Sequence, residues 1–329
     1  MWRGDAPELA QQPYDLPLSE LEKYKPALTR QPDFDAFWER TLDELGETPL
    51  KYELTPRDYP ARGARLYKII YGGFRGARVQ GWLAMPEGDG PFPGLMLYHG
   101  YNWAMEGQIH DVVNWALHGY AALLMLCRGQ QGESVDNTVY SHGAHAGWMS
   151  KGILSEEEYY YRGVYMDAVR GIEVLASLDK VDRARIGVTG GSQGGALTLA
   201  AAALSDIPIV AAADYPYLSH FERAIDIAPS GPYHELNEFF RRNGDPEIEA
   251  RAKRTLSYFD VMNLAPHVKC RTWVSIGLVD TITPPSTVFA AYNHLQCEKS
   301  IAVFRYFGHE GIPRAHEQKL RLLMDTLRP

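Results

Sequence analysis

The spacing of apolar residues changes along the chain, and each change predicts a different element. In DFDAFWERTLDELGE, residues 33–47, Phe34, Phe37, Trp38, Leu42 and Leu45 recur at helical intervals. The segment therefore predicts a docking helix with one apolar face, with Asp33 after Pro32 as its cap. RLYKIIYGG and ARVQGWLAMP then alternate apolar and polar positions on either side of a short Gly-containing loop, which predicts an antiparallel hairpin. From Pro93 onward the rhythm alternates. GLMLYH, AALLMLC, RIGVT, IVAAADY, RTWVSIGL and IAVFRYF read as strands, while DVVNWALHG, YYYRGVYMDAVRGIEVLASL, ALTLAAAAL, STVFAAYNHL and EQKLRLLMDTL read as helices. Strands separated by helices need crossover connections, so the expected class is α/β with a mainly parallel, doubly wound sheet covered on both faces. Such a sheet presents its site at the carboxyl ends of the strands.

Residues 216–266 interrupt the rhythm with helical pieces, HFERAIDIA, HELNEFFRR and IEARAKRTLSYF, broken by SGP and NGDP. They read as a helical cap inserted over the strand ends. With no internal repeat, low-complexity tract or flexible linker, residues 1–329 are expected to form a single domain. Residues 1–60 form its N-terminal extension, of which residues 1–12 read as loosely tethered. The chain is 45% apolar, enough for a substantial core, and its net charge of −8 comes without a sustained basic run. That balance argues against a nucleic-acid partner and against an anionic membrane surface, and favours small-molecule chemistry. The first residues lack the apolar core of a signal peptide, and AALLMLC is too short to span a bilayer, so a cytoplasmic location and no membrane partner are expected. Cys127, Cys270 and Cys297 are odd in number and lack metal-ligand spacing; buried reduced thiols are the default.

The chemistry centres on GGSQGG at 190–195, where Gly190, Ser192 and Gly194 spell GxSxG between the strand RIGVT and the helix ALTLAAAAL. This is the pattern of a nucleophile elbow, whose small residues let the chain turn tightly enough to present a serine hydroxyl. The structural alternative is a Gly-rich turn. A serine nucleophile needs a base, and the base needs a carboxylate, following in the order Ser, Asp, His in an α/β-hydrolase. Asp280 in GLVDTITPP and His309 in YFGHEG each follow a strand and satisfy that order. Asp214 directly follows the strand after the elbow and Asp260 lies inside the cap, which leaves them weaker candidates. His99 in LYHGYN also ends a strand but precedes the serine. His142 and His145 in SHGAHAG lack a third metal ligand and read as a structural loop pair, and Cys127 as packing. No metal and no cofactor are implied.

Acyl transfer also needs two donors for the developing oxyanion. The main-chain N–H of Gln193 occupies one expected place, and HGYN supplies the other through Tyr101, with Gly100 letting the backbone turn inward. The Gln193 side chain is expected to be incidental. Arg128 in RGQ, residues 128–130, is expected to brace loops near the site in preference to binding substrate, and Glu310 to be structural. Taken together, RGQ at 128–130, GGSQGG and the His309–Glu310 pair resemble the three signature motifs of carbohydrate esterase family 7, the acetyl xylan esterases and cephalosporin C deacetylases. The similarity extends through YDLPLSELEKYKP, HGYN, GWMSKGIL, YYYRGVY, ADYPYLS, TLSYFD and PPSTVFAAYNHL.

That resemblance implies an α/β-hydrolase fold, the triad Ser192, Asp280 and His309, oxyanion donors Tyr101 and Gln193, and supporting residues Arg128, Gln130 and Glu310. It further implies deacetylation of short xylo-oligosaccharides and cephalosporin C, small acetylated substrates as partners, and a homo-hexamer. Two departures stand out. Gln131 precedes Gly132 where family members often have RGQG, and residues 1–12 precede the usual start. A peptidase or other ester hydrolase of the same fold, or a non-catalytic binding protein, remains the alternative.

Overall fold

The computed structural model describes residues 15–103 and 108–329, so the expectation for residues 1–12 lies outside the described residues. Among the described residues nine strands form one sheet, in the order β1-β2-β3-β5-β4-β6-β7-β8-β9. They are β1 (Tyr52–Arg57), β2 (Ala64–Gly72), β3 (Arg78–Pro86), β4 (Phe92–Tyr98), β5 (Ala121–Met125), β6 (Val181–Gly191), β7 (Val210–Asp214), β8 (Arg271–Gly277) and β9 (Lys299–Phe304). The hairpin expected over β2 and β3 forms, antiparallel to β1 on one side and to β5 on the other. From β5 across to β9 every pairing is parallel.

The helices are α1 (Leu18–Leu21), α2 (Phe34–Gly46), α3 (Gln108–Leu117), α4 (Tyr160–Ala176), α5 (Gln193–Leu204), α6 (Phe221–Ile227), α7 (Tyr233–Asn243), α8 (Pro246–Phe259), α9 (Val261–Leu264), α10 (Pro285–His294) and α11 (Pro313–Leu327). Successive side chains of a strand point to opposite faces, and the core divides accordingly. Leu95, Leu97, Ala122 and Leu124 pack with residues of α3 and α11. Met96, Tyr98, Leu123 and Met125 face the layer that contains α4 and α5. Both faces are dry, which is why β5 and β7 are buried at every position and read as unbroken apolar runs. This is the mainly parallel, doubly wound sheet expected from the alternation of strands and helices, and it agrees with the α/β-hydrolase fold that the resemblance implies.

Two local expectations need correction. Strand β1 was not visible in the sequence, because all six of its residues are exposed and there is no buried face to impose a period of two. Asp33 does sit at the N-cap of α2, yet its side chain makes no capping hydrogen bond. The Tyr258 hydroxyl of α8 donates to Asp33 Oδ1 at 2.6 Å, and that bond holds the carboxyl below its ordinary range. Helix α2 nevertheless docks through its apolar face. Phe37 and Trp38 lie edge-on to Phe259, and Trp38 Nε1 donates to the Tyr258 carbonyl at 3.2 Å.

Topology places the site. After β4 the chain crosses towards β5, whereas after β6 it crosses the other way towards β7, although β4 and β6 are hydrogen-bonded neighbours with Tyr98 opposite Gly190. Chains that leave adjacent strands in opposite directions open a crevice at the carboxyl edge. HGYN follows β4 and the GxSxG turn follows β6, so the two segments meet there. Helices α6, α7 and α8, between β7 and β8, also reach the strand-end loops. Glu235 of α7 meets Tyr101, and Ser230, in the α6–α7 loop, lies 3.3 Å from Thr281 Oγ1.

Candidate active site

Ser192 takes φ 59° and ψ −121°, a left-handed conformation that a side chain adopts only under constraint. The turn is tight enough to exclude side chains on either side. A Cβ on Gly190 would come within 2.5 Å of the Tyr98 carbonyl, one on Gly195 within 2.5 Å of the Asp214 carbonyl, and one on Gly194 would also strike Tyr98. Ser192 N–H donates to the Asp214 carbonyl at 3.0 Å, while the Ser192 carbonyl accepts from Tyr217 N–H at 3.0 Å. These ties hold the strained residue in place.

The structure brings together the residues expected as a triad. Ser192 Oγ lies 2.9 Å from His309 Nε2, and His309 Nδ1 lies 2.9 Å from Asp280 Oδ2. Asp280 is fully buried and accepts from Ile282 N–H at 2.8 Å, Thr283 N–H at 2.9 Å and Thr283 Oγ1 at 2.7 Å. An acceptor carboxylate at Nδ1 assigns the proton to that nitrogen and leaves Nε2 free to accept from the serine hydroxyl. The Tyr215 ring stands edge-on to the imidazole at 4.8 Å and fixes its plane. Glu310 Oε1 accepts from Gly308 N–H at 3.1 Å and closes the turn that carries the histidine.

Gln193 opens α5, so its main-chain N–H belongs to the first turn and has no carbonyl four residues back inside the helix. Its side chain is not incidental, contrary to expectation. Fully buried, Gln193 Oε1 accepts from Gln130 Nε2 at 2.8 Å and from Tyr161 OH at 2.9 Å. A buried amide needs partners for both ends, and RGQ and α4 supply them. Gln130 Oε1 in turn accepts from Asn102 N–H at 2.9 Å, so Gln130 ties the loop after β4 to the first residue of α5. The inward turn of that loop has a different source from the one expected. Asn102, with φ 51°, is the left-handed residue, whereas Gly100 has ordinary space around a Cβ, 3.9 Å from Ser192 Cβ.

Arg128 is buried and turned away from the serine. Its guanidinium forms a bidentate pair with Asp167 of α4, both bonds at 2.7 Å, and donates to the Phe74 carbonyl at 3.2 Å. It braces the loop against α4 and cannot meet a substrate in solvent. Gln131 joins the arrangement by donating from Nε2 to Asn102 Oδ1 at 3.1 Å, while Gly132 takes the left-handed position at φ 61°.

The weaker candidates have other partners. His99 is buried, with Nδ1 2.6 Å from the Gly100 carbonyl and Nε2 accepting from Cys127 N–H at 2.9 Å. Burial holds it down to about 4, so it is a neutral strut. Asp214 pairs with Lys319 at 2.5 Å and Ser275 at 2.6 Å. Asp260 accepts main-chain donors from His220, Phe221 and Met262 and caps α9. Cys127 is buried and its thiol pushed well up by desolvation, which suits packing. Among the described residues no group of three or more His, Cys, Asp or Glu could hold a metal ion.

Asp167, Tyr161 and Glu235 were missed. A lone aspartate in the apolar YYYRGVYMDAVRG run could have flagged Asp167, whereas nothing local marks Glu235.

The family model described as acetyl xylan esterase (AXE1) matches residues 11–326. The fold is similar to that of an acetyl xylan esterase from Paenibacillus sp. R4, with 42% identity, a TM-score of 0.91, and 95% of this chain and 100% of that one covered. It is similar also to acetyl xylan esterase 1 from Thermoanaerobacterium sp. JW/SL YS485, with 32% identity, a TM-score of 0.89, and coverage of 95% and 99%. An acetyl esterase of Xylanibacter ruminicola is 29% identical over 285 residues, 84% of this chain. The chain spans 63% of that relative's length.

Proposed function

Because the chain belongs to the acetyl xylan esterase family, we propose that it is a serine esterase that removes acetyl groups from short acetylated xylo-oligosaccharides and from cephalosporin C. The observation that carries the proposal is the unbroken hydrogen-bond path from Ser192 Oγ through His309 to buried Asp280. Family relatives that are themselves acetyl and acetyl xylan esterases support the acyl group.

Ser192 Oγ attacks the acetyl carbonyl as its proton passes to His309 Nε2, and Asp280 stabilises the imidazolium that forms. The N–H groups of Tyr101 and Gln193 receive the oxyanion, each worth about 3 kcal/mol in such sites. As the tetrahedral species collapses, His309 returns the proton to the departing sugar oxygen and leaves acetyl on Ser192. Water then attacks that ester with His309 again as base, which releases acetate and restores the hydroxyl. Cys127, Cys270 and Cys297 are free thiols. Among the described residues no helix is long and apolar enough to cross a membrane.

Ser192→Ala should lower kcat by about 10⁴-fold or more while substrate still binds. Retained acetate release would exclude Ser192 as nucleophile. Comparing acetylated xylo-oligosaccharides, cephalosporin C and longer-chain esters should show a preference for acetyl; faster butyrate release would overturn the substrate assignment.

A further inference from the structure

The loop that carries Tyr101 is tied from two directions, and one tie comes from the cap. The Tyr101 phenol donates to the Glu235 carboxylate on α7, 2.6 Å from Oε1 and 2.8 Å from Oε2, and accepts from Trp148 N–H at 2.7 Å. Glu235 Oε2 also accepts from Met149 N–H at 3.0 Å. Gly147 has φ 94°, and a Cβ there would collide with the same carboxylate, so the chain at 147–149 is moulded around Glu235. The Tyr101 ring stands edge-on to Trp148 at 5.3 Å and to Tyr217 at 6.4 Å. Tyr217 is the residue whose N–H holds the Ser192 carbonyl.

Among the described residues the cationic neighbour acting on Glu235 is the imidazole of His145. The Glu235 carboxylate, mostly out of solvent, gathers donors from two separate loops onto one cap helix. Partial burial raises the Glu235 pKa, and the hydrogen bonds from Tyr101, Trp148 and Met149 are what offset that cost, so they hold both loops to the carboxylate. We propose that Glu235 is a positioning residue for the oxyanion hole, fixing the Tyr101 main-chain N–H by anchoring the Tyr101 phenol. The proposal rests on Tyr101 N–H being an oxyanion donor. Such a donor acts only if it already points at the oxyanion before charge develops, and residues 99–103 belong to no helix or strand that would aim it. Gln130 pins the following residue, Asn102, from the RGQ side. Glu235 pins Tyr101 from the cap side, which couples the placement of α7 to turnover.

The test compares Ser192→Ala, Tyr101→Phe, Glu235→Ala, Glu235→Gln and the double variant Tyr101→Phe with Glu235→Ala. Each is assayed for kcat and KM on 4-nitrophenyl acetate and for Tm, and all but Ser192→Ala for the rate of Ser192 labelling by an organophosphonate. Glu235→Ala and Tyr101→Phe should each lower kcat about 10- to 100-fold with KM within about twofold, and phosphonate labelling should slow in parallel. The double variant should fall no further than the worse single one, because the two groups act as a unit. Glu235→Gln keeps an oxygen acceptor for the phenol and should recover most of kcat. A Glu235→Ala kcat within about twofold of the parent, a raised KM with unchanged kcat, or additive losses in the double variant would overturn the proposal. If Glu235→Ala does not fold, Tyr101→Phe decides alone, since it removes one oxygen and keeps the ring packing. Acetate release by Ser192→Ala would sink the esterase assignment itself, whereas an inactive Ser192→Ala beside fully active Tyr101→Phe and Glu235→Ala sinks only the role of Glu235.

Discussion

His99 shows how a residue's chemistry follows from its surroundings. An imidazole at the end of a strand beside a nucleophile looks like a base, but both of its nitrogens are engaged by main-chain groups and burial holds its pKa at about 4, against 6.5 in the open. On acidification the unfolded chain takes up the His99 proton first, while the folded chain resists until about 4, so stability is lost as pH falls across that interval. One such group accounts for on the order of 3 kcal/mol. His220, also held at about 4 by burial, acts in the same direction. Asp260, raised to about 6 by burial, acts oppositely and offsets part of the loss. Urea unfolding near pH 7 and near pH 5 should show a smaller pH dependence for His99→Asn than for the parent; equal slopes would refute the assignment. Asp280→Asn should leave the fold intact and lower kcat by about 10⁴-fold, because an amide at Nδ1 no longer selects the required tautomer. Near-parental kcat would count against the triad. Ser192, Asp280 and His309 could be found from the sequence because each follows a strand with a local signature. The Gln193 side chain could not, since its partners Gln130 and Tyr161 lie 63 and 32 residues away.

At the scale of elements, α4 carries more of the site than its sequence suggests. Its periodicity predicted a helix, but 15 of its 17 residues are buried and its tyrosines reach outward to separate partners. Tyr160 OH donates to the Arg128 carbonyl, Tyr161 OH to Gln193, and Tyr165 OH to the Phe259 carbonyl of α8. The Arg128–Asp167 pair binds α4 to the loop after β5, with both side chains nearly inaccessible. Removing one partner strands the other's charge in the interior. Arg128→Leu should therefore cost about 3–5 kcal/mol in chemical denaturation, and a loss under about 1 kcal/mol would show that the carboxylate finds another partner. Gly163 belongs to the same device, since a Cβ there would come within 2.5 Å of the guanidinium. RGQ was legible as a brace. Its partner was not, because a residue on a helix interior bears no mark of which loop it will meet.

At the scale of the whole molecule, one face of the edge strand stays exposed among the described residues. β1 is the edge of the sheet and exposes Tyr52 and Leu54, alternate residues on one face. Edge strands with exposed apolar residues invite pairing or cover. The strand is thus a candidate contact between copies, and the homo-hexamer stands as a proposal: sedimentation should find six copies that dissociate in Leu54→Glu, and a monomeric parent would exclude it. The alternation of apolar runs was enough to determine the α/β class, the hairpin and the order in which the chemical residues meet the strand ends, because strands buried on both faces read as short unbroken apolar runs set between helical periods. Tertiary structure alone decided the rest. The reversal of crossover direction between β4 and β6 brings HGYN against Ser192, α4 carries Asp167 to Arg128, and α7 carries Glu235 to Tyr101. Those contacts join residues tens of positions apart, and only a folded backbone determines such neighbours.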